Sequence, residues 1–169
     1  KIIYSDSTSA ENTDASGLTA FNSDGFSLGS TAATNASSTT YVGWCWDAGT
    51  STVTNTAGSI SSQVRANTTA GFSIVTYSGN GTSGATVGHG GLVGLDKGMI
   101  IVKTRTGASV ANWMVYHGAL GATKVMEGLN TTSAASTSSA SWNDTAPTST
   151  VFTLGNESNT NGSGRTFVA

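Results

Sequence analysis

Charge is scarce in this chain: 9% of its 169 residues are Asp, Glu, Lys or Arg, against roughly 25% in an ordinary soluble domain. The seven Lys and Arg stand singly from Lys1 to Arg165. No basic patch forms in sequence, and this excludes a nucleic-acid footprint. There is one cysteine, Cys45, so no intrachain disulfide can form, and a chain of this length buries enough surface to need none. Proline occurs once, at Pro147. No apolar run reaches the 18 or so residues of a membrane span, and KIIYSDSTSAENTD at the start has neither the pattern of a signal peptide nor that of a lipidation motif. No membrane insertion is expected.

What is present is hydroxyl and glycine. Ser and Thr make up about 31% of the chain, and 22 residues are glycine. Leu, Ile, Val and Phe together fall just below the level at which disorder is suspected, but disorder also requires a high net charge, and here it is −2. Valine outnumbers leucine twelve to seven, a bias toward residues that fit a pleated, half-buried surface.

Short apolar runs are separated by Gly, Ser, Thr and Asn clusters: 25–29, 39–46, 71–79, 98–104, 112–118, 151–155 and 165–169. Each has strand length. In 71–79, Phe72, Ile74 and Thr76 alternate with Ser73, Val75 and Tyr77, whereas Met99 to Val102 is apolar on both faces and suits a strand covered on both sides. The window 118–129 is the one helix-like stretch, and its three glycines leave room for a turn or two. The expected class is all-β with little helix, built as a β-sandwich.

An internal repeat sets the organisation. Residues 25–43 align without gaps on 151–169 at an offset of 126, pairing Phe26 with Phe152, Leu28 with Leu154, Gly29 with Gly155, Thr34 with Thr160, Asn35 with Asn161 and Tyr41 with Phe167. From Thr19 to Gly43, eleven of 25 positions are identical to their counterparts. A period this long describes whole units in tandem, not solenoid turns. Residues 1–50 are therefore read as the C-terminal part of one β-unit, 51–69 as a linker, connecting loop or poorly patterned strand, and 70–169 as most of the following unit, its final strand truncated. The offset places a counterpart of Trp44-Cys45-Trp46 beyond Ala169, so the chain is expected to be a segment of a longer polypeptide. Phe152 and Leu154, and equally Phe26 and Leu28, are expected to face the core.

Several motifs invite a chemical reading and fail it. GNGTSG (79–84) spells half of a dinucleotide-binding fingerprint, but the following residues carry glycines and no helical period, so no helix N-terminus is offered to a pyrophosphate. A tight turn at Asn80-Gly81 is expected instead. GFSLG (25–29) matches a nucleophile elbow around Ser27, with His89 or His117 as base. The repeat turns it into VFTLG, losing the first glycine and replacing the serine by Thr153, so Ser27 reads as an outward strand residue. His89 and His117 lack neighbours at metal-ligand spacing. His89 is expected to hydrogen-bond a loop and His117 to end a strand. Cys45 lacks a nearby positive charge and reads as a small core residue. Asp6, Glu11, Asp14 and Asp24 form the densest acidic stretch without the spacing of a calcium loop. Trp113, Tyr116 and Trp142 could stack on sugars or fill a core. Sequons stand at Asn35, Asn67, Asn80, Asn130, Asn143, Asn156 and Asn161, several by chance in so Ser/Thr-rich a chain. Catalytic residues, metal ligands and cofactors are all expected to be absent, and no ligand-binding residue can be assigned.

The strings GFSIVTYSGNGTSGATVGHG, GMIIVKTRTG, NWMVYHGALGATKVMEGLNTT, SWNDTAPTSTVFTLG and TTYVGWCWDAG resemble the repeated β-domain of tail-fibre and other virion-surface proteins of marine bacteriophages, cyanophages among them. The resemblance spans nearly the whole chain. It departs in residues 89–97, which lack the proline expected before the Met99 strand. It implies tandem β-sandwich units of the lectin or jelly-roll type and a structural or adhesive module at the virion surface, outside the cell. The implied partners are other virion or fibre subunits in a homo-oligomer, and host-surface carbohydrate. It carries no catalytic residues. The alternatives are a carbohydrate-active depolymerase, which would need two of Asp96, Glu127, Asp144 and Glu157 held about 5 to 10 Å apart, and a bacterial surface adhesin or filament subunit.

Overall fold

The computed structural model describes residues 1–108 and 110–169. It is an all-β chain in which every pairing between named strands is antiparallel. Strands are numbered in chain order: β1 (Leu18–Phe21), β2 (Phe26–Leu28), β3 (Val53–Asn55), β4 (Ser62–Asn67), β5 (Phe72–Ser78), β6 (Ala85–Gly88), β7 (Met99–Thr106), β8 (Met114–His117), β9 (Lys124–Val125), β10 (Ser136–Thr137), β11 (Val151–Leu154) and β12 (Thr166–Val168). The α-helices α1 (Ala32–Asn35), α2 (Ser139–Trp142) and α3 (Ser158–Asn161) are single turns, as is a 3-10 turn at Leu95–Lys97. The window 118–129, read as a turn or two of helix, contains turns and β9 instead.

Six strands form the main sheet in the order β3-β4-β5-β12-β7-β8, so the last strand in sequence inserts between β5 and β7. The β6–β11 pair belongs to the same core: Ala85, Val87, Phe152 and Leu154 join Val64, Val75, Tyr77, Ile100, Val102, Met114, Tyr116 and Phe167 in one buried cluster. The period-2 pattern decides which side chains enter it. In β5 the buried set is Val75 and Tyr77, while Ile74 stays exposed. In β7, Ile100, Val102 and Thr104 are buried as alternation requires, and Lys103 on the opposite face is buried too.

Residues 51–69, left open between a linker or connecting loop and a poorly patterned strand, are not a linker: β3 and β4 form one edge of the main sheet. β4 pairs along its whole length with β5, Val64 opposite Val75. The strand hides in the sequence because a serine occupies a core position. Ser62 is buried, and its hydroxyl is satisfied by donating to the Gly88 carbonyl at 3.1 Å.

A second correction concerns the first copy of the repeat. Within 25–29 only β2 is strand, and among the described residues it pairs with β1 alone, while 39–46, expected as a strand, has no regular pairing. Phe26 and Leu28 are 40% and 38% exposed, whereas Phe152 and Leu154 are at 1% and 0%. Cys45, read as a core residue, is exposed.

Residues 1–12 lie against β7 and the segment after it. Glu11 donates its amide to Arg105 O, Ala111 N bonds Thr8 O, and the Trp113 indole donates to Tyr4 O at 2.9 Å. Beneath them the buried Lys103 ammonium donates to Thr8 O (3.0 Å) and Ala111 O (2.5 Å) and sits 5.9 Å from the centre of the Trp113 ring. Two main-chain carbonyls and an aromatic face replace the carboxylate that a buried cation ordinarily requires. Burial pushes its pKa below the usual lysine range.

Glu11 closes this attachment with a 2.5 Å contact to Arg105 Nε. That bond holds the Glu11 carboxyl below its ordinary value of 4.5. Because the folded pKa is depressed, the contribution is complete above 4.5 and is lost as pH falls through the folded value. Acidification should therefore release residues 1–12 and shift the Trp113 indole N–H resonance. Glu11→Gln should abolish that acid transition, and an indole resonance unmoved on acidification of the parent chain would refute the assignment.

Candidate functional site

An exposed aromatic row lies where the first copy joins the main sheet. Trp44 and Trp46 are 75% and 65% exposed, their ring centroids 6.4 Å apart with planes inclined by 20°. Trp46 in turn stacks on Phe72, at 6.2 Å and 23°. Phe72 opens β5, so a rigid sheet carries one end of a row of three rings.

Local chemistry fixes the row. Gly49, at φ +86°, turns the chain after Asp47, whose Oδ1 accepts the Gly49 amide at 2.7 Å and whose Oδ2 accepts from Asn67 Nδ2 at 3.1 Å. Arg65 Nε donates to the Gly49 carbonyl at 2.6 Å. Both partners lie on β4, so residues 47–49 are pinned to the strand beside Phe72, and Ala48 is buried beneath them. Trp44 and Trp46 are two residues apart, the spacing that puts side chains on one side of an extended backbone. The result is an exposed ledge of three stacked rings bordered by the carboxylate of Asp47 and the amide of Asn67. Flat rings with nearby hydrogen-bonding groups suit a ligand that has an apolar face and a polar edge.

The residues singled out in the sequence scatter elsewhere. His89 is buried: its Nδ1 accepts the Leu92 amide at 3.1 Å, so its other nitrogen carries the proton and donates to Thr148 O at 3.1 Å. Burial holds its pKa below 6.5. His117 ends β8 and accepts the Ala119 amide. Tyr116 and Trp142 are core residues in edge-to-face contact at 6.1 Å, and half-buried Trp113 packs under residues 1–12. Ser27 is half-buried in β2, where no helical nucleophile elbow follows it. The turn at 79–84 leads into strand β6, with Gly81 at φ +72°.

Glu127 accepts from Asn112 at 3.0 Å, and Glu157 caps α3 by accepting the Asn159 amide. Glu11 is bound by Lys1 and Arg105, and Asp14 by Ser16 and Thr31. Among the described residues, no three His, Cys, Asp or Glu converge as a metal site would require, and no helix is long and apolar enough to cross a membrane. A shallow depression of about 230 Å³ lies beside Gln63, Thr76, Arg105 and Thr166.

Sequence reasoning weighed three other aromatics and missed Trp44, Trp46 and Phe72. The available signal was the pair of tryptophans at a spacing of two. It was masked because the repeat led one to expect 39–46 in a core strand.

The fold and the ledge define an all-β protein with an internal repeat and an exposed aromatic surface. The chain belongs to the family described as Domain of unknown function (DUF7483), whose model matches residues 1–169. Comparison with curated proteins and with solved structures gives no match.

Proposed function

We propose that the chain is a structural and adhesive module of a phage virion appendage, such as a tail or surface fibre, which meets host-surface glycans through Trp44, Trp46 and Phe72. The observation that carries this reading is the stacked aromatic row beside Asp47 and Asn67. A sugar ring presents a face of C–H groups to an aromatic plane and its hydroxyls to polar neighbours, and this ledge offers both. The low charge, the hydroxyl-rich composition and the 126-residue repeat support an extracellular rod of like units, each a β-sandwich in which the six-stranded sheet packs on the β6–β11 pair. Its partners in this reading are like fibre subunits in a homo-oligomer. The module binds without cleaving.

Titrating the chain with polysaccharide released from host cells should change the tryptophan fluorescence. Trp46→Ala, which removes the central ring, should weaken binding roughly thirtyfold, the size of an interface hot spot of about 2 kcal/mol. No fluorescence response, or binding that survives both Trp44→Ala and Trp46→Ala, would refute the glycan contact. Shortened glycan chains after incubation would refute the non-enzymatic reading.

A further inference from the structure

The two copies of the repeat have the same local fold and opposite surroundings. In the second, α3 follows β11: Thr160 N and Asn161 N donate to Glu157 O at 3.1 and 2.7 Å, the Thr160 hydroxyl bonds the same carbonyl, and Asn161 Nδ2 donates to Gly155 O at 2.8 Å. In the first, each bond recurs at the offset of 126. Thr34 N and Asn35 N donate to Thr31 O at 3.1 and 2.9 Å, the Thr34 hydroxyl bonds it too, and Asn35 Nδ2 donates to Gly29 O at 2.8 Å. Gly29 and Gly155 each press against a preceding main-chain carbonyl, of Ser16 and Ala140, with no room for a side chain.

The second copy shows what covers this motif. Phe152 meets Tyr77 edge-to-face and pairs across β6 with Val87, and Phe167 stacks on Tyr77 at 5.1 Å between β5 and β7. The Tyr77 hydroxyl donates to Thr160 O at 2.7 Å. The turn after β5 grips Asn161, whose Oδ1 accepts the Asn80 amide while its backbone carbonyl accepts from Gly81. In the first copy the counterparts stand open: Phe26 and Leu28 as described, Tyr41 47% and Val42 76% exposed, Asn35 at the surface. Tyr41 folds back on α1, its hydroxyl donating to Ala32 O, where Phe167 instead enters a sheet.

We infer that the open face formed by Phe26, Leu28, Asn35, Tyr41 and Val42 is a docking surface for the 51–126 half of another unit of this same pattern, joined in the register of the repeat, with its own counterparts of Tyr77 and of the turn at 79–84. The second copy supplies the template for the fit: residues 40–42 enter between β5- and β7-type strands, and Phe26 lies under the tyrosine. The inference rests on the tandem-unit part of the proposed function and is independent of the glycan ledge, which is assayed on the parent chain.

The test is a chain carrying residues 51–126 repeated ahead of Lys1, which puts residues 1–43 in the register of 127–169. Amide exchange is compared within one molecule. In the parent chain, 26–28, paired only with the two-stranded β1 edge, should exchange faster than 152–154, and 40–42 should exchange as an open segment while 166–168 are protected. In the extended chain, the exchange of 26–28 and 40–42 should slow to that of their counterparts, and Leu28→Asp should restore fast exchange there without altering 151–168. Fast exchange at 26–28 and 40–42 in the extended chain would overturn the proposal. So would protection of these residues already present in the parent chain, whether as a monomer or by self-association, because the occupant would then be absent or a second copy of the chain.

Discussion

Phe152→Ala should cost about 3 to 5 kcal/mol in chemical denaturation, the range for truncating a packed aromatic core residue, while Phe26→Ala costs about 0.5 kcal/mol or less, as at a surface position away from special features. The two residues are aligned in the repeat, and each lies in a short antiparallel strand, so strand propensity bears on both alike. Their surroundings differ. Phe152 is 1% exposed against Tyr77, and its removal leaves a hole bounded by β5 and β6, whereas Phe26 is 40% exposed in a strand paired with β1, opposite Phe21. Equal costs at the two positions would mean that the first copy is covered in the isolated chain. In a chain extended by residues 51–126, Phe26→Ala should become as costly as Phe152→Ala.

This contrast also marks how far the sequence could be read. Strands β5, β7 and β11 were legible because their apolar residues either alternate or run continuously, and these patterns report burial by local neighbours. The repeat was legible as an alignment, and several of its invariant positions have a physical cause. Gly29 and Gly155 are held by a backbone approach, and Asn35 and Asn161 by a bond to that glycine's carbonyl. Burial was not transferable between copies, because a side chain's exposure depends on what packs over it, and identical local sequences carry no record of that. Hence Phe26, Leu28 and Cys45 were expected inside. β4 failed in the opposite sense: its inward face carries Ser62, a polar residue made tolerable by one long-range hydrogen bond to Gly88. The ledge lay in a segment whose apolar residues read equally well as strand or surface, and only the pinning of Asp47 and Gly49 to β4 distinguishes the two.

The polar half of the same comparison predicts a loss of similar kind at Asn161. This side chain is fully buried and makes three hydrogen bonds: its amide nitrogen donates to Thr82 O at 2.9 Å and to Gly155 O at 2.8 Å, and its oxygen accepts from Asn80 N at 3.0 Å. It thereby ties the turn after β5 to the end of β11. Asn161→Ala leaves two carbonyls and one amide without their partner. An unsatisfied buried group costs about 1 to 3 kcal/mol, and partial hydration of the turn offsets some of the sum, so about 2 to 4 kcal/mol is expected. Asn161→Asp should not restore stability, since it keeps the acceptor for Asn80 but sets a carboxylate against two carbonyl oxygens. Asn35→Ala removes the equivalent bond to Gly29 at an exposed position and should cost about 1 kcal/mol or less, because water replaces the lost partner. Amide exchange should localise the effect, with residues 79–84 losing protection in Asn161→Ala while β7 and β8 keep theirs. If Asn161→Ala proved as mild as Asn35→Ala, the turn would be held by the main-chain bonds of Gly79 to Arg165 O, Gly81 to Asn161 O and Gly84 to Leu154 O, and the buried asparagine side chain would not be the clasp between β5 and β11.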